Sequence, residues 1–327
     1  MRINLYPAIL FFASLIIVLA CNISFAQQHP QYSLFNQNMV VYNPAYTGIS
    51  NNLIVALHGR AQWYNIKGLP ISQNIQAHTP VYFLHGGLGV SILNNQQGLQ
   101  RNTHAGLNYS YIIHGRKYKI SFGFHAGIIE TSLDGKKIIT PTGNYEGNNI
   151  DHNDNILSAS ILENLQFDLS AGIAFESKRI SFGISSVNIN EPKLGLTQST
   201  NGLILKRNYI SNFSYNINFS KNVLFKNSFL AKYDVNDLQA ESNFSLQYKK
   251  LGFLGVGFRG FEKNNIDATY AYLGIYLTQS WILSYAYDYI LSDLNNASSG
   301  SHEILLQYSL PLSQTAKPGK IIYTPRF

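Results

Sequence analysis

Between residues 53 and 311 the chain repeats one pattern: segments of about ten residues in which apolar and polar side chains alternate, broken by short runs of Asn, Gly, Asp, Ser and Lys. Phe167, Leu169, Ala171, Ile173 and Phe175 fall on one face of such a segment, and Asp168, Ser170, Gly172 and Glu176 on the other. Tyr118, Ile120, Phe122, Phe124, Ala126 and Ile128 oppose Lys119, Ser121, Gly123, His125 and Gly127, while Phe213, Tyr215, Ile217 and Phe219 oppose Asn212, Ser214, Asn216 and Asn218. A period of two belongs to strands, whose successive side chains point to opposite faces. About fourteen segments can be counted, centred near residues 58, 76, 90, 108, 125, 170, 184, 213, 228, 244, 256, 272, 286 and 306. Those at 223–233 and 266–277 alternate weakly.

Alternation alone allows a soluble β-sandwich, which buries apolar inner faces and needs charged outer ones. Charged residues make up only 13% of the chain, against roughly 25% in a soluble domain. The polar faces consist of Ser, Asn, Gln and Gly, suited to a hydrated lumen, and 22 Tyr with 19 Phe supply aromatic girdles. Closing the sheet satisfies every backbone group inside lipid. The expected fold is therefore all-β, a transmembrane antiparallel β-barrel of about fourteen strands over residues 51–311, in the cell outer membrane, with an N-terminal extended segment. Glycines within the strands fit tight curvature or small lumen-facing positions.

The flanks read differently. Arg2, an apolar run from Ala8 to Ala20 and Ser24-Phe25-Ala26 make residues 1–26 an expected signal peptide. The competing reading is a lipoprotein lipobox, Val18-Leu19-Ala20 before Cys21. Residues 27–50, rich in Asn and Tyr, are an expected N-terminal arm or plug, either lining the lumen or staying periplasmic. Arg116-Lys117, Ser177-Lys178-Arg179, Ser220-Lys221-Asn222, Lys249-Lys250 and Thr278-Gln279-Ser280 read as tight turns of a periplasmic rim. The longer polar stretches 134–163, 190–206 and 291–301 belong outside. Residues 312–327 form a C-terminal tail, and residues 300–311 better suit the closing strand because Pro325 disfavours a strand there.

Motifs of chemistry are weak. Gly255-Val256-Gly257-Phe258-Arg259-Gly260 matches a dinucleotide fingerprint in letters, but a polar turn follows where a helix is required, so these are strand glycines. Asp151-His152-Asn153-Asp154-Asn155 lacks the Gly and Glu of a calcium loop, with Ile156 and Leu162 in their places. His302-Glu303 is followed by Leu306 where a zinc protease has its second His. His58, His78, His85, His104, His114 and His125 are scattered singly, as lumen-facing polar residues would be. No catalytic, cofactor-binding or metal residue is assigned, and the net charge of +7 without a basic–aromatic cluster gives no sign of nucleic-acid binding. Arg60 shares the polar face of the first strand with His58 and Gln62; a lumen Arg calls for a carboxylate partner. Trp63 is placed at the membrane interface.

Over nearly the whole of its length beyond the signal the chain resembles the PorP/SprF family of type IX secretion outer-membrane proteins. The resemblance rests on Gln31-Tyr32-Ser33, Asn43-Pro44-Ala45-Tyr46-Thr47-Gly48, Arg60-Ala61-Gln62-Trp63, Gly68-Leu69-Pro70, His78-Thr79-Pro80, Gly87-Leu88-Gly89-Val90 and Gly98. Toward the C-terminus it rests on Ser284-Tyr285-Ala286-Tyr287-Asp288, Ser292-Asp293-Leu294 and Gly300-Ser301-His302-Glu303-Ile304. What it implies is a non-enzymatic barrel that supports export or surface attachment of a large secreted adhesin bearing a C-terminal signal and, in some bacteria, gliding motility. The implied partners are outer-membrane lipid, that secreted protein and periplasmic secretion or motility machinery. Asn43, Pro44, Tyr46, Arg60, Gln62, Trp63, His302 and Glu303 are the candidate structural or partner-contact residues. The alternatives are a passive porin or small-solute channel, and a membrane-embedded Ser-His hydrolase.

Overall fold

Backbone groups facing hydrocarbon must bond to one another, and this chain meets the requirement by joining its first strand to its last. The computed structural model describes residues 30–145, 150–153, 160–194, 203–234, 237–249, 251–262 and 265–312. The expected signal peptide with Cys21, Asp154-Asn155, Lys250 and all of the tail after Leu312 lie outside the described residues. Fourteen strands close the barrel. They are β1 (Asn52–Ala61), β2 (Ile71–Val81), β3 (Gly86–Gln97), β4 (Gln100–His114), β5 (Tyr118–Asp134), β6 (Ile161–Ser177) and β7 (Ile180–Val187), followed by β10 (Asn208–Asn218), β11 (Val223–Asp234), β12 (Asp237–Tyr248), β13 (Gly252–Glu262), β14 (Asn265–Tyr276), β15 (Trp281–Ile290) and β16 (Ser301–Pro311). Two short strands, β8 (Lys193–Leu194) and β9 (Leu203–Ile204), pair within the β7–β10 loop. The seam runs antiparallel from Asn52↔Pro311 to Ala61↔His302, and every neighbouring pair in the ring is antiparallel. All fourteen expected centres fall within these strands.

The two faces separate as alternation requires. Phe167, Leu107, Leu254 and Ile173 are exposed on the outside, whereas Asn74, Asn108, Ser110, Ser121, Asn212, Ser228 and Asn243 are buried toward the lumen. The weakly alternating β11 and β14 have a physical reason to be weak. Leu230 of β11 and Tyr270 and Tyr272 of β14 face inward and pack on apolar residues of the N-terminal segment, so their lumen faces are not polar. Gly255 and Gly257 lie in β13 with no helix after them; a Cβ at either would come within 2.4 Å of the Tyr272 ring or 2.3 Å of the Tyr270 ring.

The five tight turns lie on one rim, together with Asn51 at the start of β1 and Leu312 after β16. The strand ends that flank residues 135–160, 188–207 and 291–300 lie on the other. Gly98-Leu99 is also a tight turn, yet it joins β3 to β4 on the loop rim, with Gly98 in the left-handed region (φ 59°). β5 and β6 each run 17 residues, well beyond the ~9–11 that a tilted membrane strand needs. They carry the wall of the loop rim further out.

Residues 30–51 lie inside the barrel. Three short 3-10 turns, Phe35–Gln37, Met39–Val41 and Pro44–Tyr46, compact the segment, and Tyr32, Leu34, Phe35, Tyr42 and Ala45 are essentially fully buried. Its contacts reach β12, β13, β15 and β16 on one side and β5, β6 and β7 on another, which only a segment within the lumen can do.

Candidate functional site

The lumen holds this segment, a plug, at two levels. Toward the loop rim lies a ring of charges. Arg60 sits one residue from the end of β1, directly opposite Glu303 of β16. Asp288 stands near the end of β15, Arg259 on β13 faces Glu241 on β12, and Lys232 lies on β11. Three cations and three carboxylates meet there, all with side chains at most 7% exposed. Arg60 Nη2 donates to Asp288 Oδ2 at 2.7 Å and Arg60 Nη1 to Glu303 Oε2 at 2.8 Å. Arg259 Nη1 reaches the same Asp288 oxygen at 2.8 Å, and its Nη2 reaches Glu241 Oε2 at 3.1 Å. Lys232 Nζ lies 3.5 Å from Glu241 Oε1, and His58 Nε2 lies 2.7 Å from Glu303 Oε1.

Ser33 of the plug occupies the centre of the ring. Its hydroxyl donates to Asp288 Oδ1 (2.6 Å) and accepts from Arg60 Nη1 (3.1 Å) and Arg259 Nη2 (2.9 Å). One donor and two acceptor lone pairs are the full capacity of a hydroxyl. The backbone N–H groups of Ser33 and Leu34 donate to the two Glu303 oxygens at 2.7 and 2.9 Å, and Asn243 Nδ2 donates to the Ser33 carbonyl at 3.0 Å. Tyr32 stacks on His58 with ring centroids 4.1 Å apart, and Lys232 lies over the Tyr42 ring at 5.0 Å. Burial pushes the Tyr42 phenol well above its ordinary range, and the Glu241 carboxylate adds to the shift. Burial likewise raises Tyr32. Both therefore remain neutral across physiological pH.

Toward the turn rim the plug is held by fit rather than charge. Asn43 caps the Pro44–Tyr46 turn, its Oδ1 accepting from Ala45 N at 2.9 Å, while its Nδ2 donates to the Ile173 and Ile184 carbonyls at 3.1 and 3.3 Å. The wall makes room with glycine. A Cβ at Gly123 would stand 2.0 Å from Ala45 N, and one at Gly172 would stand 2.2 Å from Asn43 Oδ1. The Tyr46 hydroxyl accepts from Asn212 Nδ2 at 2.6 Å and lies 3.0 Å from Ser181 Oγ. Ser110 Oγ donates to the Thr47 carbonyl (2.6 Å), Gly48 N donates to His78 Nδ1 (3.1 Å), and Lys119 Nζ donates to the Ile49 carbonyl.

The eight candidate residues thus separate into three groups. Asn43, Pro44 and Tyr46 form the lower anchor; Arg60 and Glu303 form the upper one. Gln62, Trp63 and His302 belong to the loop rim. Gln62 N bonds the Pro70 carbonyl, Trp63 has a positive φ of 58° and donates its N–H to Ser301 Oγ at 3.1 Å. His302 faces outward beside Glu303, with Nδ1 2.7 Å from the Tyr285 hydroxyl and its ring against Tyr64 and Tyr287. Sequence reading left Arg60 without a named partner; the partners are Glu303 and Asp288. It also left Ser33, Lys232, Glu241 and Arg259 unassigned. Their signal was available: a lumen face made of Ser, Asn and Gly leaves every inward charge in need of neutralisation.

Of the scattered histidines, His58, His78, His104 and His125 do face the lumen. His114 shares the lumen-side face of β4 with Asn108 and Ser110 but lies exposed at its turn-rim end, whereas His85 occupies the β2–β3 turn with a left-handed φ of 51°. Their positions at strand ends, where the wall meets the interface, account for the difference. Beside the plug remain a cavity of about 80 Å³, lined in part by His104, His125 and Asp168, and one of about 200 Å³ between Asn36, Gln76, Glu176 and Lys226. Among the described residues no group of three or more His, Cys, Asp or Glu is disposed to hold a metal ion.

A sequence profile described as "Type IX secretion system membrane protein PorP/SprF" matches residues 24–308. The chain belongs to this family. It is accordingly an outer-membrane component of type IX secretion, in contact with lipid and with the secretion machinery. No curated protein matches it. Solved barrels do: the Ralstonia pickettii toluene transporter TbuX (9% identity, 84% of this chain and 93% of that one, TM-score 0.48), the CymD monoaromatic hydrocarbon channel (10%, 88% and 94%, 0.45) and the Acinetobacter baumannii outer membrane protein Omp33 (8%, 80% and 99%, 0.45). Likeness at that level carries no argument about what passes through this barrel, and its closed ring rests on its own strand register.

Proposed function

We propose that this family member is a non-enzymatic, plugged scaffold that supports export or surface attachment of a large secreted adhesin bearing a C-terminal signal, and through that adhesin gliding motility. Its loop rim receives the secreted protein and its turn rim meets periplasmic machinery. The observation that carries the reading is the plug: a segment fixed at two levels by wall residues leaves the rims, rather than a pore, as the working surfaces. The non-enzymatic reading is supported by Ser33, which is fully buried and whose hydroxyl is saturated by one carboxylate and two guanidinium groups, leaving it no room to meet a substrate. Gln62, Trp63 and His302 on the loop rim are the residues proposed to contact the secreted partner.

The test is deletion of the gene combined with co-purification from envelopes. A large secreted protein retained on the barrel, and lost from the cell surface on deletion, supports the scaffold. A porin would instead conduct ions in planar bilayers as the unaltered chain and would leave secretion intact on deletion.

A further inference from the structure

The turn rim, given to periplasmic machinery in the secretion reading, carries a charge pattern that this role leaves unexplained. Its hairpins hold Arg116, Lys117, Lys178, Arg179, Lys221 and Lys249, all exposed. Among the described residues these turns contain no Asp or Glu, and none of the six cations enters an ion pair. The loop rim differs: there Lys137 pairs with Asp134 at 2.8 Å, and Lys206 lies 3.8 Å from Glu191.

Bare apolar side chains project from the same rim. Phe83 is 80% exposed and Leu251 68%, and Phe219 and Leu277 are also mostly exposed. Next to them on the outer face lies an aromatic belt: Tyr118 stacks on Phe175 with centroids 5.8 Å apart, and Trp281 packs against Tyr308 at 5.0 Å. Lys249 Nζ lies over the Tyr248 ring at 5.4 Å. An acidic protein face would satisfy the cations but leave these apolar groups in water. A membrane boundary satisfies both at once, because phosphates and acyl chains meet within a few ångströms all round a barrel.

We propose that the turn rim is a binding collar for anionic phospholipid. The phosphates of the headgroups pair with the six cations, while Phe83, Phe219, Leu251 and Leu277 insert among the first carbons of the acyl chains. Each Lys or Arg near an anionic surface favours binding by about fivefold, so a preference over zwitterionic lipid should survive partial screening.

The chain has two tryptophans, Trp63 and Trp281, one on each rim, and this makes the proposal testable. Full-length W63F, with Trp281 as sole reporter, is reconstituted into phosphatidylcholine vesicles. The quencher is brominated phosphatidylglycerol or brominated phosphatidylcholine at equal fraction. The expected result is several-fold stronger quenching by the anionic lipid, falling to a ratio of about one in R116Q/K117Q/K178Q/R179Q/K221Q/K249Q. W281F, reporting from Trp63, should show no preference. Should the sixfold variant fail to insert, 1 M salt, which shortens the screening length to about 3 Å, must erase the preference of W63F itself. Equal quenching by both lipids in W63F, or a preference unmoved by salt, overturns the collar. Equal quenching together with an envelope protein captured by the unaltered rim but not by the sixfold variant overturns it in favour of an acidic protein partner.

Discussion

The two anchors of the plug hold the same segment by opposite means. Ser33 and Leu34 are gripped by ionised groups that had to be stripped of water before they could pair. Asn43 to Gly48 are gripped by neutral hydrogen bonds and by the absence of side chains at Gly123 and Gly172. Buried ion pairs contribute little net stability, because desolvation offsets their attraction, but removing one partner strands the other. A neutral fit has no such stored asymmetry. The upper anchor should therefore fail abruptly and the lower one by degrees.

The largest effect expected is from Glu303→Ala, which leaves Arg60 short of a partner and two plug N–H groups without an acceptor. Breaking a buried pair in this way costs about 3–5 kcal/mol, read as a lowered urea midpoint in detergent micelles, and ion conductance should appear as the plug leaves. An unchanged midpoint would remove the charge ring from the account. Next comes Gly123→Val, which drives a side chain into Ala45 and Pro44. Overpacking costs about 1–3 kcal/mol, and thermal unfolding should show it while the upper anchor keeps conductance low. Asn43→Ala follows, at about 1–3 kcal/mol for the carbonyls and N–H left without their partner. Combined with Glu303→Ala it tests independence, since sites that share no partner add to within about 0.5 kcal/mol. A smaller combined loss would mean that the plug is already free once one anchor goes.

The smallest effect concerns pH. The folded pKa values of Tyr32 and Tyr42 are raised by burial. Their stabilising contribution is complete below the unfolded phenol value of about 10 and is lost as pH rises toward the folded values. Stability should fall above pH ~10, and Tyr42→Phe should flatten that fall; an alkaline slope that is the same in both proteins removes Tyr42 from it.

Much of the wall was legible in the sequence, since lipid on one side and water on the other force a period of two on every strand. Where β11 and β14 read poorly, the reason was Leu230, Tyr270 and Tyr272, whose inward apolar groups serve the plug rather than a hydrated lumen. Arg60 and Glu303 stood out singly, but nothing local joins them: 243 residues separate them until β1 closes on β16. The glycines were legible as small lumen positions, yet what fills the space in front of Gly123 and Gly172 belongs to a segment whose direction no strand pattern records.

The sequence by itself determined the wall, the even strand number and the sorting of turns from loops, because each follows from side-chain alternation and turn chemistry within a few residues. Only the tertiary structure decided that residues 30–51 fill the lumen and which charges neutralise which. Those contacts join residues brought together by the closing of the ring, and their energies depend on burial that exists only once it is closed.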